Sequence, residues 1–387
     1  MTEGIGLLSD VRVVDFTQAL SGPYCTLMLA DLGADVVKVE NRERGDDSRH
    51  WGPPYVGDDA AYFMSVNRNK RSLALDLKDR ADFAVVQRLI AEADVVVENW
   101  RPGTAARLRL DADTLRGENP RLVHCSISGF GQDGGPRSGY DQIVQGESGV
   151  MSLTGPTGHP TKRGVPIGDI SAGMFAASAI LAALYDRRST EQGRTIDIAM
   201  QDSLVSMLTH HAARYLNGAP LPASDHNGHA TIAPYGLFRA ADGFLNVCVG
   251  NDSQFVRMCS ALDAGHLATD PRFVTNATRL AHKVELIDGI EKSLSVLSVE
   301  DACARLGGFG VPAGHVRDIG AVLDDPATAE RQMILDFERP DSGPARVVNT
   351  PWKFDGQAPK VTRVPPRLGE HNDDFALSIP VKEAPTP

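Results

Sequence analysis

The strongest constraint on the fold is a regular alternation of short apolar strands and helical segments that begins near the N-terminus. The segment Val11–Phe16 (VRVVDF) is β-branched and apolar, and it predicts a buried strand. The SGP triplet at residues 21–23 favours a helix start, because proline fits the first turn, and Gly33 favours its end. A second β-branched segment, Ala34–Glu40, predicts another strand. Two strands joined through a helix form a βαβ unit, which requires parallel strands and a right-handed crossover.

The same alternation continues toward the middle of the chain. Apolar, β-branched segments predict strands at Ser72–Leu77, Asp94–Trp100, Leu122–Ser128 and Arg194–Met200. Segments of helical composition predict helices at Arg80–Ala93, at the nearly all apolar Ser171–Tyr185, and from about Asp202. Strands that alternate with helices are typical of a doubly wound α/β domain with a parallel sheet.

A change in composition near residue 216 predicts a domain boundary. Leu216–Pro234 is rich in Gly, Pro, Ala, His and Asn, as linkers commonly are. Beyond it, a strand at Phe244–Gly250, a helix at Asp252–Leu262 and helical apolar spacing from Val284 predict a smaller α+β unit. A chain of 387 residues also exceeds what one hydrophobic core normally serves, so two domains are expected. The residues alone leave open which domain the C-terminal part, with its strand-like Arg346–Phe354, joins.

Composition and charge argue against several classes of protein. The net charge is −11 and no long run of Lys or Arg occurs, so a nucleic-acid partner is not expected. The five cysteines are widely spaced without a CxxC pair, which is typical of buried reduced thiols and not of a zinc site. The N-terminus lacks the features of a signal peptide, and the apolar stretch Ala172–Tyr185 is shorter than the roughly 20 residues of a membrane span. We therefore expect a cytoplasmic protein without a membrane partner.

Three short motifs have both a structural and a functional interpretation. Residues 129–134 (GFGQDG) fit the GxGxxG pattern of a dinucleotide site and would favour an NAD-dependent oxidoreductase. The GPRSG that follows cannot propagate the helix such a site needs, so a Gly-rich active-site loop is the better interpretation. The basic cluster at residues 67–71 (NRNKR) is either a solvated loop or a landing site for phosphates. Adjacent His210 and His211 would not share a helix face, so no metal is expected.

Asp169 precedes the apolar helix, within the segment GVPIGDIS at residues 164–171. An aspartate at such a position commonly caps the helix by accepting a hydrogen bond from a free backbone N–H. The positive end of the helix would also keep the carboxylate ionised, near its ordinary pKa of about 4. An ionised carboxylate can act as a nucleophile, so the residues alone leave both roles open.

Eight sequence blocks, in order along the chain, carry a resemblance that covers nearly its whole length. They lie at Val13–Glu40, Asn69–Lys78, Ala93–Gly103, Asn119–Pro136, Tyr140–Gly149, Gly168–Leu184, Arg194–Asp202 and Leu368–His371. In these blocks the chain resembles the class III CoA-transferases, the formyl-CoA transferase-like family. The resemblance implies a large Rossmann-like, CoA-binding domain built from residues 1–215 and 325–387, and an inserted small α+β domain at residues 225–324. It also implies an interlocked homodimer.

The resemblance further implies the chemistry. In the family, the aspartate that opens the apolar helix, here Asp169, attacks an acyl-CoA thioester. An aspartyl anhydride and then an aspartyl-CoA thioester form, and CoA passes to an acceptor acid. CoA is a substrate in this scheme, and no cofactor is expected. The family's CoA-binding positions match or, for Arg42, adjoin Leu20, Ser21, Arg42, Leu75, Lys78, Asn99, Trp100, Arg101, Arg107, Tyr140 and Asp141.

The α-methylacyl-CoA racemases of the same superfamily are the main alternative. They share the fold and the aspartate, but their second catalytic group is a histidine in a loop that matches residues 139–141. Tyr140 occupies the histidine position here, so the base for proton exchange is missing. We therefore predict a CoA-transferase whose partners are an acyl-CoA and a small carboxylic acid.

Overall fold

The structure, a computed structural model, consists of two compact units. It describes residues 4–135, 137–156, 158–221, 227–340 and 342–376. The first unit contains the described residues up to Val150, those of Lys162–His210 and those from Pro326 onward. The second unit contains the described residues of Met151–Thr161 and His211–Asp325. The assignment of a CoA-binding role to a large domain of residues 1–215 and 325–387 stays a prediction.

Strands and helices alternate along the first half of the chain, as the sequence predicts. The strands are β1 (Arg12–Asp15), β2 (Asp35–Asn41), β3 (Tyr55–Val56), β4 (Asp59–Ala60), β5 (Lys70–Leu75), β6 (Val95–Glu98), β7 (Val123–Ser128), β8 (Thr195–Ala199), β9 (Tyr235–Arg239), β10 (Phe244–Cys248), β11 (Ala313–His315), β12 (Ile334–Arg339) and β13 (Gly343–Val348). The helices are α1 (Ser21–Asp31), α2 (Ala61–Val66), α3 (Arg80–Ala91), α4 (Thr104–Leu108), α5 (Ala112–Glu118), α6 (Asp141–Glu147), α7 (Ile167–Thr190), α8 (Met200–Met207), α9 (Thr209–Leu216), α10 (Asp252–Ala261), α11 (Gly265–Thr269), α12 (Asn276–Ala281), α13 (Lys283–Leu294), α14 (Val299–Gly308), α15 (Ile319–Leu323), α16 (Pro326–Glu330) and α17 (Asn372–Ala376).

The first unit is built on a six-stranded sheet in which every strand is parallel to its neighbours, in the order β5-β2-β1-β6-β7-β8. Consecutive residues of a strand point to opposite faces. Val13 therefore belongs to a core cluster with Leu29 of α1 and Ile180 of α7, whereas Val14 belongs to one with Ile90 of α3. A sheet covered on both faces needs strands that are apolar throughout, which explains the valine-rich segments. The predicted parallel α/β architecture is confirmed.

Helix α7 is longer than the sequence predicts. The expected helix at Ser171–Tyr185 extends at both ends to Ile167–Thr190, so that Asp169 lies within its first turn. By length and composition this helix could cross a membrane, but half of its apolar stretch is buried in the protein, and it packs closely against α1. It serves here as a core helix whose N-terminus reaches the carboxyl edge of the sheet.

Two expectations from the sequence are wrong. The basic cluster at residues 67–71 is neither a solvated loop nor a phosphate site, because Arg68 and Lys70 are fully buried. Arg68 pairs with Asp31 at 2.6 Å and Lys70 with Asp15 at 3.2 Å, so both charges are used inside the fold. The strand expected at Arg346–Phe354 ends at Val348, where β13 closes a hairpin with β12. Of the expected linker Leu216–Pro234, residues 222–226 lie outside the described part of the chain.

The second unit has its own core, as a smaller α+β unit requires. Its antiparallel sheet has the order β11-β10-β9. Leu245 of β10, Phe255 of α10, Ile290 of α13 and Leu306 of α14 belong to one buried cluster. The helical apolar spacing that begins at Val284 forms α13, as predicted.

Candidate active site

A cavity of about 510 Å³ lies at the carboxyl edge of the parallel sheet of the first unit. Ligands bind at this edge in open α/β sheets, because the loops that follow the strands meet there. Its wall includes residues that follow β1, β6 and β7, together with the start of α7. Seven of the residues predicted for the site line it: Ser21, Asn99, Trp100, Arg101, Tyr140, Asp141 and Asp169.

Five residues predicted to contact CoA do not line this cavity: Leu20, Arg42, Leu75, Lys78 and Arg107. Leu20 and Leu75 are buried in apolar clusters of the fold. Arg42 is exposed and forms an ion pair with Asp82. The side chains of the other two are exposed on the surface of the first unit. Their contacts with CoA stay predictions.

Asp169 is held by the start of the neighbouring helix α1. The backbone N–H and the hydroxyl of Ser21 lie beside its carboxylate and favour the anion, which lowers its pKa. The two helices approach closely because Gly173 has no side chain, since a Cβ there would lie 2.6 Å from the carbonyl oxygen of Ser21. The N-cap of α7 is Pro166, which provides no side-chain hydrogen bond. Asp169 is therefore not the cap that its sequence position suggested, and its carboxylate faces the cavity.

Asp141 performs the capping role instead, from a different segment of the chain. One of its carboxylate oxygens accepts the backbone N–H of Gly168 at 2.8 Å, and the other accepts Nε2 of Gln145 at 2.7 Å. A Cβ on Gly168 would lie 2.9 Å from the same Asp141 oxygen, so glycine is what permits this approach. An N–H of the first turn of α7 is thus satisfied without Asp169. Sequence analysis assigned Asp141 to CoA and missed this contact.

Burial and a neighbouring carboxylate perturb the pKa of Asp169. Burial, followed by the negative charge of Asp141, raises the pKa of Asp169 from 3.8 to about 7, although the N–H and hydroxyl of Ser21 oppose the rise. The expectation of an ordinary pKa near 4 is therefore wrong. Loss of water around the carboxylate, together with a like charge, outweighs the favourable helix terminus. Asp169 therefore titrates near neutral pH.

Several other residues line the cavity although the sequence did not indicate them as part of the site. Tyr62 of α2 lines the cavity, and burial together with the charge of Asp169 raises its pKa to about 12. Its ring makes an edge contact with Trp51, with centroids 5.1 Å apart. Neither residue belongs to a recognisable motif, so no local signal pointed to them. Gln18 and Ala19 also line the cavity, and they lie inside a block of the resemblance that could have indicated them.

The Gly-rich segment forms a loop of the cavity wall. Gly129 and Gly139 cross closely, since a Cβ on Gly129 would lie 2.4 Å from the Cα of Gly139. No helix forms over the described residues 129–135, and α6 begins only at Asp141. The dinucleotide interpretation is wrong for this geometry, and the loop interpretation fits it.

Three basic side chains line the cavity: Arg101, Arg137 and Lys162. Arg137 also pairs with Glu147 at 2.5 Å and lies 3.8 Å from the ring centre of Phe130. In the described part of the chain, no group of three or more His, Cys, Asp or Glu side chains is placed to hold a metal ion. The site thus offers a carboxylate, hydroxyls, backbone amides and cations.

The fold and the cavity together define an α/β enzyme with a perturbed carboxylate at the ligand-binding edge of its sheet. Residues 8–372 match the family described as CoA-transferase family III, and the chain belongs to that family. The match spans both compact units of the structure. The prediction of a CoA-transferase is thereby confirmed.

Relatives extend the similarity over most of the chain. It is 42% identical to the succinate–glutarate CoA-transferase of Agrobacterium fabrum, over 94% of this chain and 93% of that protein. It is 39% identical to the acetyl-CoA:oxalate CoA-transferase of Acetobacter aceti, over 91% of this chain and 90% of that protein. The solved structure of a CaiB/BaiF family protein from Brucella suis shares 37% identity, with a TM-score of 0.84 and coverage of 96% and 98%.

Proposed function

We propose that the enzyme moves CoA from an acyl-CoA donor to a carboxylic acid through covalent intermediates on Asp169. The observation that carries this proposal is a carboxylate that lines the cavity beside the N–H and hydroxyl of Ser21 and is not needed to cap its helix. An ionised carboxylate attacks a thioester, and its covalent intermediate divides one exchange into easier steps.

The steps balance without a further reactant. A carboxylate oxygen of Asp169 attacks the thioester carbonyl carbon, the C–S bond breaks, and a mixed anhydride and CoA thiolate result. The thiolate attacks the carbonyl carbon of Asp169, which releases the donor acid and leaves an aspartyl-CoA thioester. The acceptor carboxylate attacks that thioester and again frees the thiolate. The thiolate then attacks the acceptor's carbonyl, which yields the new acyl-CoA and restores Asp169.

Each attack creates an oxyanion that needs hydrogen-bond donors. Backbone N–H groups of the Gly-rich loop, where Gly129 and Gly139 line the cavity, are suited to this role. The predicted CoA contacts are part of the same proposal. Asn99, Trp100 and Arg101 follow β6 on the cavity wall, where Arg101 supplies a positive charge for an anionic substrate.

Short dicarboxylic acids are the substrate class we propose, with succinyl-CoA as donor. Relatives named for succinate, glutarate and oxalate act on such acids. While one carboxylate reacts at Asp169, the other needs a cation. Arg137 and Lys162 line the same cavity, and Lys162 is exposed there.

The remaining expectations belong to the same proposal. We propose that the enzyme is an interlocked homodimer in the cytoplasm and that it requires neither a metal nor another cofactor. Sedimentation of a stable, active monomer at micromolar concentration would contradict the dimer. Activity that is lost with a chelator and restored by zinc would contradict the absence of a metal.

Trapping the intermediate tests the mechanism. Enzyme incubated with succinyl-CoA and then hydroxylamine should carry a hydroxamate on Asp169, seen as a mass change on its peptide. Asp169→Ala should bind CoA but show no such adduct, and its exchange rate should fall by several orders of magnitude. An unmodified Asp169 in an enzyme that turns over rapidly would exclude the covalent route.

A further inference from the structure

The loop between β1 and α1 is held by side chains from three other segments. Nζ of Lys38 donates to the carbonyl oxygen of Thr17 at 2.6 Å. Asn99 accepts the N–H of Gln18 at 2.9 Å and donates to its carbonyl oxygen at 2.8 Å. Residues 17, 18 and 19 are thus each bound by a side chain from outside the loop, and the side chain that binds residue 19 is that of Asp46.

Ala19 is the strained point of this loop. Its φ of 65° lies in the left-handed region, which residues other than glycine seldom adopt. Its N–H donates to Oδ1 of Asp46 at 3.1 Å, and the same oxygen accepts the N–H of Ser48 at 2.9 Å. A conformation of this kind persists only where the surroundings determine it, and Asp46 is the side chain that binds the N–H of Ala19 itself.

Asp46 is itself fixed by a buried ion pair. Its Oδ2 lies 2.9 Å from Nζ of Lys38, and both side chains are 0% exposed. A buried ion pair contributes little to stability compared with apolar residues of the same size, because both charges lose their water. Neither residue lines the cavity, so neither touches a substrate there. Asp46 also caps the short helical turn at Asp47–His50 through Ser48, and its contact with Ala19 gives the pair a second role in the conformation of the loop.

The loop leads directly into the donors for Asp169. Ser21 follows Ala19 by two residues, is 4% exposed, and provides both its N–H and its hydroxyl to that carboxylate. We infer that Asp46, fixed by Lys38, is a positioning residue for CoA transfer, which sets the turn at Ala19 so that Ser21 directs both donors at Asp169. The inference rests on the proposed role of Asp169 as the nucleophile.

The pH dependence of acylation reports this role. The N–H and hydroxyl of Ser21 lower the pKa of Asp169, so moving them away raises that pKa and shifts the acid limb of the profile of rate against pH to higher pH. Removal of a nearby negative charge, acting through space alone, lowers that pKa and moves the limb to lower pH. The other titratable or charged groups that share the cavity with Asp169 are Asp47, Tyr62, Arg101, Arg137, Tyr140, Asp141 and Lys162. None of these changes in the variants below.

The experiment measures the rate of hydroxamate-trapped acylation against pH, per folded enzyme. Asp46→Ala should lower that rate at pH 6.5 by about tenfold or more and raise the acid limb by about half a pH unit or more. Asp46→Asn keeps an oxygen that accepts the N–H of Ala19, so its limb should not rise. Adding Ala19→Gly to Asp46→Ala should restore much of the rate, because glycine adopts positive φ freely.

Asp31→Ala is the matched control, because Asp31 is also buried and paired, with Arg68, but lies outside the cavity wall. It should lower the melting temperature yet leave the acid limb in place. If Asp46→Ala does not fold, Asp46→Ser replaces it, since the shorter hydroxyl cannot reach the N–H of Ala19. An alanine or serine variant with the wild-type rate and limb, or a limb that moves downward, would overturn the inference. Wild-type enzyme that is never acylated at Asp169 would instead overturn the proposed function.

Discussion

Replacing Asp169 with Asn should both inactivate and stabilise the enzyme. The folded protein raises the pKa of this carboxyl from 3.8 to about 7, so between these values the folded state holds a proton that the unfolded state has released. The free energy of unfolding therefore falls as pH rises through this window. The difference in pKa between the folded and unfolded states lowers the free energy of unfolding by about 4 kcal/mol at pH 8 and by about 2 kcal/mol at pH 5.5. Asn carries no charge and removes this destabilisation at both pH values.

Urea unfolding, followed by the fluorescence of the three tryptophans at one protein concentration, measures the effect. The gain in stability of Asp169→Asn over wild type should be larger at pH 8 than at pH 5.5 by about 2 kcal/mol. Asp79→Asn is the control, because Asp79 is an exposed N-cap with a lowered pKa, and Asn caps equally well. Its effect should be the same at both pH values. A pH-independent effect of Asp169→Asn, or near-normal exchange by that variant, would refute the reasoning.

Three further predictions concern the surroundings of Asp169. Asp141→Asn keeps an oxygen for the N–H of Gly168 but removes the like charge, so the acid limb of the rate profile should move down by about one pH unit, with about fivefold more activity at pH 6. Gly168→Ala places a Cβ 2.9 Å from Oδ1 of Asp141, so exchange should fall roughly tenfold or more while the protein still folds. Lys162→Ala should raise the KM for a dicarboxylate acceptor about tenfold and leave that for a monocarboxylate unchanged. Steady-state kinetics against pH and acceptor chain length check all three.

The sequence predicts the framework well because apolar periodicity is a local property. The ends of strands β1, β2, β6 and β7 were predicted to within two residues, and the resemblance indicated Asp169. The electrostatics of the site were not predictable in the same way. Asp141 and Asp169 are 28 positions apart, and only the folded chain brings one to the helix terminus beside the other.

The prediction for the buried cluster at residues 67–71 was wrong for the same reason. A run of Arg, Asn and Lys has the composition of a solvated loop. The neighbouring sequence does not show that the run forms ion pairs with Asp15 and Asp31 in the folded protein. Tyr62 likewise enters the cavity only through the packing of α2. Residues whose role depends on a distant partner are therefore the ones that sequence reasoning assigned wrongly or did not find.

A pKa of about 7 at Asp169 reflects two opposing requirements of the proposed chemistry. Burial removes water from the carboxylate, which leaves it less stabilised and more ready to attack a thioester, and it also keeps water from the anhydride. The same burial protonates the group, and a protonated carboxyl cannot attack. Ser21 and Asp141 act on this balance with opposite signs, because the donors of Ser21 favour the anion and the charge of Asp141 disfavours it. The carboxyl of Asp169 then titrates near neutral pH, so altering either neighbour should change the rate in a direction that the sign of its interaction determines.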